Sequence, residues 1–88
     1  MNVSTLKLEL PSELVAPLGA DDAERRRMVR LELALALYRD GKLSPGHAAE
    51  LAELGRWEFA DLAKARAVPT PFTREMIEEE FAHGRGHQ

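Results

Sequence analysis

The 88-residue chain contains no cysteine, which excludes a disulfide framework, a cysteine-ligated zinc site and a cysteine nucleophile. It also lacks any run of about 18 apolar residues, so no helical membrane span is expected. Its first residues do not show the basic-then-apolar layout of a secretory leader, and a cytoplasmic location is the expectation. Neither charge sign dominates. Twelve basic and fifteen acidic residues leave a net charge of −3, which argues against broad, charge-driven binding to nucleic acid. A body this small buries a modest core, and without a disulfide or metal it commonly needs a partner subunit.

A catalytic constellation is missing as well. His47 stands just inside a helix start and is expected to face solvent. His83 and His87 have the four-residue spacing of helical metal ligands, but Gly84 and Gly86 break the helix that would align them. Glu78, Glu79 and Glu80 are consecutive, and helical neighbours point about 100° apart, so the three cannot converge on one ion. The expectation is a protein that is not an enzyme, with no metal, no cofactor and no small-molecule substrate.

What the chain does have begins with an alternating segment. From Val3 to Leu10, Leu6, Leu8 and Leu10 fall on one side and Thr5, Lys7 and Glu9 on the other. That is the period of a half-buried strand, and Pro11 ends it. No second segment reads as a strand. A lone strand leaves its N–H and C=O groups unpaired, so pairing with the same strand of a second chain is the economical solution. A homodimer follows, with Leu6, Leu8 and Leu10, and Leu31 and Leu35 of the next long helix, expected at its interface.

The stretch from Pro11 starts like a helix but meets Pro17 and Gly19, leaving one or two turns. Asp21 then caps a long helix, with Glu24 three residues on. Its second half, RLELALALY, alternates like a strand. Leu, Ala, Glu and Arg favour helix, however, and no β-branched residue follows Val29 in it. Apolar residues all round that half suit a central or dimer-core helix. Asp40-Gly41 stops it. Ser44-Pro45 signals a new start, giving helices over His47–Leu54 and Arg56–Ala67 with Gly55 between. Pro69 and Pro71 impose an extended link. Thr73 caps a last short helix, with Phe72 and Ile77 spaced as a hydrophobic staple, and Gly84 to Gln88 are expected to fray. The fold class is thus mainly α: an N-terminal strand in an intermolecular ribbon, a long central helix, a helix-turn-helix, and a short C-terminal helix in an extended tail. Residues 1–67 form the dimerisation and helix-turn-helix unit, and residues 68–88 the tail.

Within LSPGHAAELAELGRWEFADLAKAR, Ala49 supplies the small contact a helix-turn-helix needs, and Leu54, Phe59 and Leu62 lock the second helix. Glu53 occupies the position where a left-handed residue is usual, at a cost of roughly 1 kcal/mol for a non-glycine. Gly55, two residues on, is another place for the turn. Outward positions of the second helix are Arg56, Trp57, Ala60, Asp61 and Lys64. Arg56 suits a guanine edge or a phosphate and Lys64 a phosphate, with Arg66 adding a further base. Asp61 and Glu58 face the same polyanion. The plainer alternative is an antiparallel helix pair with a solvated outer face, and Trp57 then serves as a core or interface anchor.

The order of LKLELP, a capped helix ending in LALALYRDGKLS, then HAAELAELGRWEF, then VPTPFT and an acidic tail resembles a family of short prokaryotic proteins, family 175 in the uncharacterised-protein series. Leu6 to Glu80 carry the resemblance. Glu53 and Gly55 stand where that family's turn carries Gly and Ser, and Pro17 interrupts the first helix. The resemblance implies a helix-turn-helix antitoxin that represses its own operon and has a toxin partner, commonly a PIN-like ribonuclease encoded beside it. Arg56, Trp57, Lys64 and Arg66 become the expected operator-DNA contacts.

The tail carries Phe72, Met76, Ile77 and Phe81 among Glu75, Glu78, Glu79 and Glu80. Such a segment either docks on its own core or lies in a partner's groove, and the resemblance favours the toxin. Two further DNA surfaces are conceivable. A paired ribbon would present Thr5, Lys7 and Glu9. The Arg25, Arg26, Arg27 and Arg30 cluster could hold phosphates, its plainer role being ion pairing with Asp21, Asp22 and Glu24. The competing class is a protein-interaction module that never touches DNA.

Overall fold

The computed structural model describes residues 3–83, and the regular structure of those residues is helical. In chain order it comprises α1 (Ser12–Val15), a 3₁₀ turn (Ala16–Leu18), α2 (Asp22–Arg39), α3 (Pro45–Ala52), α4 (Arg56–Ala65) and α5 (Arg74–His83). The frayed end expected from Gly84, and His87 with it, lies outside the described residues.

Local signals set the starts. The Asp21 side chain accepts from the Glu24 N–H at 2.9 Å, and the Glu24 carboxylate accepts in turn from the Ala20 N–H. Two donors at the start of α2 are thereby satisfied, as in a capping box. Ser44 Oγ accepts from the His47 N–H at 3.3 Å, with Pro45 at the first helical position of α3. Thr73 Oγ1 accepts from the Met76 N–H at 3.1 Å and begins α5.

Three successive helices end in the same way. After α2 the Lys42 N–H bonds to the Leu37 carbonyl and Gly41 to Tyr38. After α3 Leu54 bonds to Ala49 and Glu53 to Glu50. After α4 Val68 bonds to Ala63 and Ala67 to Lys64. Each is the paired six-to-one and five-to-two pattern that requires a left-handed residue one step beyond the helix. Gly41 takes that conformation at φ 74°, Glu53 at 60° and Ala67 at 55°. Only the first is a glycine.

The N-terminal strand is not formed in the single chain. Residues 3–10 carry no regular structure and all are exposed, Leu6 by 81% and Leu8 by 68%. The alternation is there, but a strand exists only through its ladder, and no other described segment offers an edge. The long helix likewise buries one side only. Ala34, Leu35 and Tyr38 turn inward, whereas Met28, Val29 and Leu33 stay exposed.

The core gathers on Tyr38. Its ring meets Phe59 edge-on with centroids 5.3 Å apart and stacks on Phe72 at 5.6 Å, while its backbone carbonyl accepts from Thr70 Oγ1 at 3.4 Å. α2, α4 and the link after α4 are joined there. Among the described residues, five of the nine buried hydrophobic residues other than proline are alanines (Ala34, Ala48, Ala49, Ala52 and Ala63), so the helices approach closely and bury little area per residue. Fully buried Phe59 therefore carries much of the apolar stabilisation. Phe59→Ala is expected to cost about 3–5 kcal/mol, enough to unfold most of the population when followed by far-UV circular dichroism in a urea titration. Ala67→Gly removes a left-handed penalty and should raise stability by about 1 kcal/mol in the same titration.

Candidate functional site

α3 and α4 are joined by Glu53, Leu54 and Gly55. Ala48, Ala49 and Ala52 from α3 and Phe59 and Ala63 from α4 enter the shared core, and partly buried Leu54 packs against it at the turn. The left-handed residue of the turn is Glu53 (φ 60°, ψ 39°). Gly55 is extended (φ −63°, ψ 157°) and begins α4 instead. Glu58 bonds back to this start, its carboxylate accepting from the Gly55 N–H at 3.3 Å. An acidic residue there satisfies a helix terminus as well as facing solvent.

Arg30 explains how a glutamate is held in that conformation. Its Nε donates to the Leu51 carbonyl at 2.8 Å and lies 3.6 Å from the Glu53 carboxylate. A base on the long helix thus clamps the last turn of α3 and the turn beyond it. Of its neighbours, Arg25 donates to the Gly19 carbonyl at 2.9 Å and pairs with Asp22 at 3.6 Å, and Arg26 and Arg27 are exposed.

The outward face of α4 is not bare. Arg56 Nη1 donates to the Phe81 carbonyl at 2.8 Å. Trp57, 41% exposed, meets the Phe81 ring edge-on with centroids 4.8 Å apart. Trp57, Ala60, Asp61 and Lys64 line one wall of a groove of about 230 Å³, and Arg74 and Ile77 of α5 line the other. Lys64 is exposed. Arg66 is turned away to Glu32 of α2, at 2.7 Å. Arg56, Trp57 and Lys64 therefore share a face, and Arg66 serves as a tie between α4 and α2.

The tail residues divide. Phe72 packs on Tyr38 and Ile77 is buried, so within one chain the segment after residue 67 docks on the core rather than extending away. Phe81 lies against Trp57. Met76 is 49% exposed and points outward. Of the expected dimer residues, Leu6, Leu8 and Leu10 are exposed, Leu31 is half-buried, and Leu35 belongs to the chain's own core.

Two side chains that tie the tail to α3 were not singled out from sequence for that role, Ser44 and Glu80. The Glu80 carboxylate accepts from Ser44 Oγ at 2.9 Å and from the Gly46 N–H at 3.2 and 3.3 Å. No spacing signals a bond across 36 residues. The role of Arg30 was hidden in the same way, inside a run of arginines. Among the described residues no group of three or more His, Asp or Glu side chains is assembled that could hold a metal ion, and no helix is long and apolar enough to cross a membrane. Away from the site, the Asp40 carboxyl at the end of α2 lies below the usual carboxylate range, chiefly through its hydrogen bond from Arg39.

These features define a small helical protein organised around a tightly turned helix pair with a short helix folded across it. The chain belongs to uncharacterised protein family UPF0175, whose model matches residues 1–86. It is 34% identical over 74 residues to a UPF0175 protein of Aeropyrum pernix, covering 84% of this chain and 79% of that one. It is 32% identical over 76 residues to a UPF0175 protein of Archaeoglobus fulgidus, covering 86% and 85%. No solved structure matches.

The Arg30 clamp generates a paired expectation. Glu53→Gly relieves roughly 1 kcal/mol of left-handed strain and gives up an exposed ion pair worth at most about 1 kcal/mol, so the melting temperature holds or rises. Arg30→Ala should lower stability by about 1 kcal/mol. A Glu53→Gly chain that melts well below the parent contradicts the assignment of strain.

Proposed function

We propose that this chain is the antitoxin of a toxin–antitoxin pair, acting in the cytoplasm as a homodimer. In this reading it represses its own operon by binding operator DNA through the helix-turn-helix of α3 and α4. Through residues 68–88 it neutralises a cognate toxin of the PIN-like ribonuclease type. The observation that carries the reading is the α3–turn–α4 unit. An alanine contact lets the two helices close, a left-handed residue bends the chain, and the second helix sets Arg56, Trp57 and Lys64 on one outward face. A recognition helix needs that arrangement. The resemblance of LYRDGKLS, AAELAELGRWEF and VPTPFT to antitoxin-like chains supplies the partner.

The dimer is supported by what the single chain leaves uncovered. Val3, Leu6, Leu8, Leu10 and Leu14 are exposed, as are Met28, Val29 and Leu33 of α2. A ribbon of two N-terminal arms would satisfy their backbones and bring that apolar surface out of water. With Leu35 inside the core, Leu33 and Val29 are the better α2 contributors to the interface.

A second reading, a protein-interaction module without DNA binding, is favoured by the engagement of Arg56 and Trp57 by α5. An electrophoretic shift against the duplex upstream of the chain's own gene, repeated over a salt series, separates the two. The repressor reading expects a specific complex whose affinity falls steeply with salt. Arg56→Ala should then cost about 1–3 kcal/mol, and Lys64→Ala should reduce the salt slope by about 1. No complex at any salt leaves the interaction module. For the dimer, sedimentation equilibrium at micromolar concentration should give twice the chain mass for the parent and the chain mass for Leu8→Glu. A monomeric parent rejects the ribbon.

A further inference from the structure

The two expected binding surfaces of this chain touch each other. Phe81 of the partner-binding set lies edge-on to Trp57 of the DNA-binding set. Its carbonyl holds Arg56 Nη1 at 2.8 Å, and the same guanidinium carbon sits 5.7 Å from the Phe81 ring centre. At the other end of α5, Arg74 stands 5.4 Å over the Trp57 ring. Glu80 closes the arrangement on α3, through Ser44 and the Gly46 N–H. α5 therefore reaches the starts of both helices of the pair and engages Arg56 and Trp57 among the outward positions of α4, with Lys64 left exposed.

We infer that α5 is a self-inhibitory latch that covers the DNA-facing side of the helix pair and must swing away before α4 can enter a groove. The inference rests on the helix-turn-helix reading above. In the closed chain, Arg56 donates to a main-chain carbonyl of the tail, and the partly exposed Trp57 contacts both Phe81 and Arg74. The Glu80 carboxylate occupies the start of α3, where a helix-turn-helix meets the phosphate backbone. A duplex and α5 cannot occupy this face together.

The latch is built to open without unfolding the rest. The main buried cluster is drawn from α2, α3 and α4, with Phe72 packed against it from the link, and α5 contributes no member. Ile77 is the one buried residue of α5, and the polar contacts of its far end are only partly buried. Thr73, just after Pro69 and Pro71, is the point about which α5 can swing while Phe72 stays on Tyr38. A protein groove that accepts the Ile77 and Phe81 face would take α5 in its open state, the same state that DNA selects. By linkage each binding then strengthens the other.

The single tryptophan of the chain is the reporter. The full-length protein is compared with Phe81→Ala, Glu80→Gln and Glu79→Gln, using the duplex upstream of its own gene and a scrambled duplex of equal length. Glu79 is exposed, so its substitution removes the same charge without touching the latch. Phe81→Ala and Glu80→Gln should red-shift Trp57 emission, increase its quenching by acrylamide, and leave far-UV circular dichroism intact. Phe81→Ala should bind the upstream duplex about tenfold tighter, equivalent to about 1.4 kcal/mol, and Glu80→Gln should gain more than Glu79→Gln. Unchanged emission in both latch variants overturns the proposal, as does an equal gain from Glu79→Gln. Opened variants that bind no tighter than the parent remove the latch and leave the DNA reading standing. If no protein in the set binds either duplex, both fall together. Should Phe81→Ala fail to fold, Glu80→Gln against Glu79→Gln decides alone.

Discussion

The ring of Tyr38 is where the chain's separate pieces become one body. On one side it receives the edge of Phe59 from α4, and on the other the face of Phe72 from the link after α4. Its carbonyl takes up a threonine hydroxyl from that link. Aromatic pairs of this geometry contribute about 0.5–1.5 kcal/mol beyond their buried area. Here they also fix direction, because the angle at which the link leaves the core decides where α5 can reach. From that exit α5 can reach Arg56 and Trp57, and its own contacts through Glu80 and Phe81 hold it there.

Around this centre the helices are joined by small residues and sharp ends. Alanines let α2, α3 and α4 approach closely, and the repeated left-handed termini redirect the chain at the end of each of these helices. Strain is accepted at Glu53 and Ala67, and at Glu53 it is offset by the Arg30 clamp. The clamp ties the geometry of the turn to α2, so the angle between α3 and α4 is held from outside the pair. Such external support is what a site on a short turn needs to keep its side chains in register.

Much of this was legible in the sequence. Asp21, Ser44-Pro45 and Thr73 marked helix starts because capping is local chemistry. Two kinds of feature were not legible. The strand at residues 3–10 was read from an alternation that is present, yet its ladder depends on an edge the single chain does not hold. Long-range contacts leave no spacing at all, and so Arg30 to Leu51, Arg56 to Phe81 and Glu80 to Ser44 could not be anticipated. Leu35 was placed at an interface from an apolar helix whose inward face sequence alone could not orient.

The alanine seam has a calorimetric consequence. Methyl groups expose little apolar area when the helices separate, and the heat-capacity change of unfolding scales with that area. The stability curve of such a chain is shallow and broad, with a low enthalpy at its midpoint.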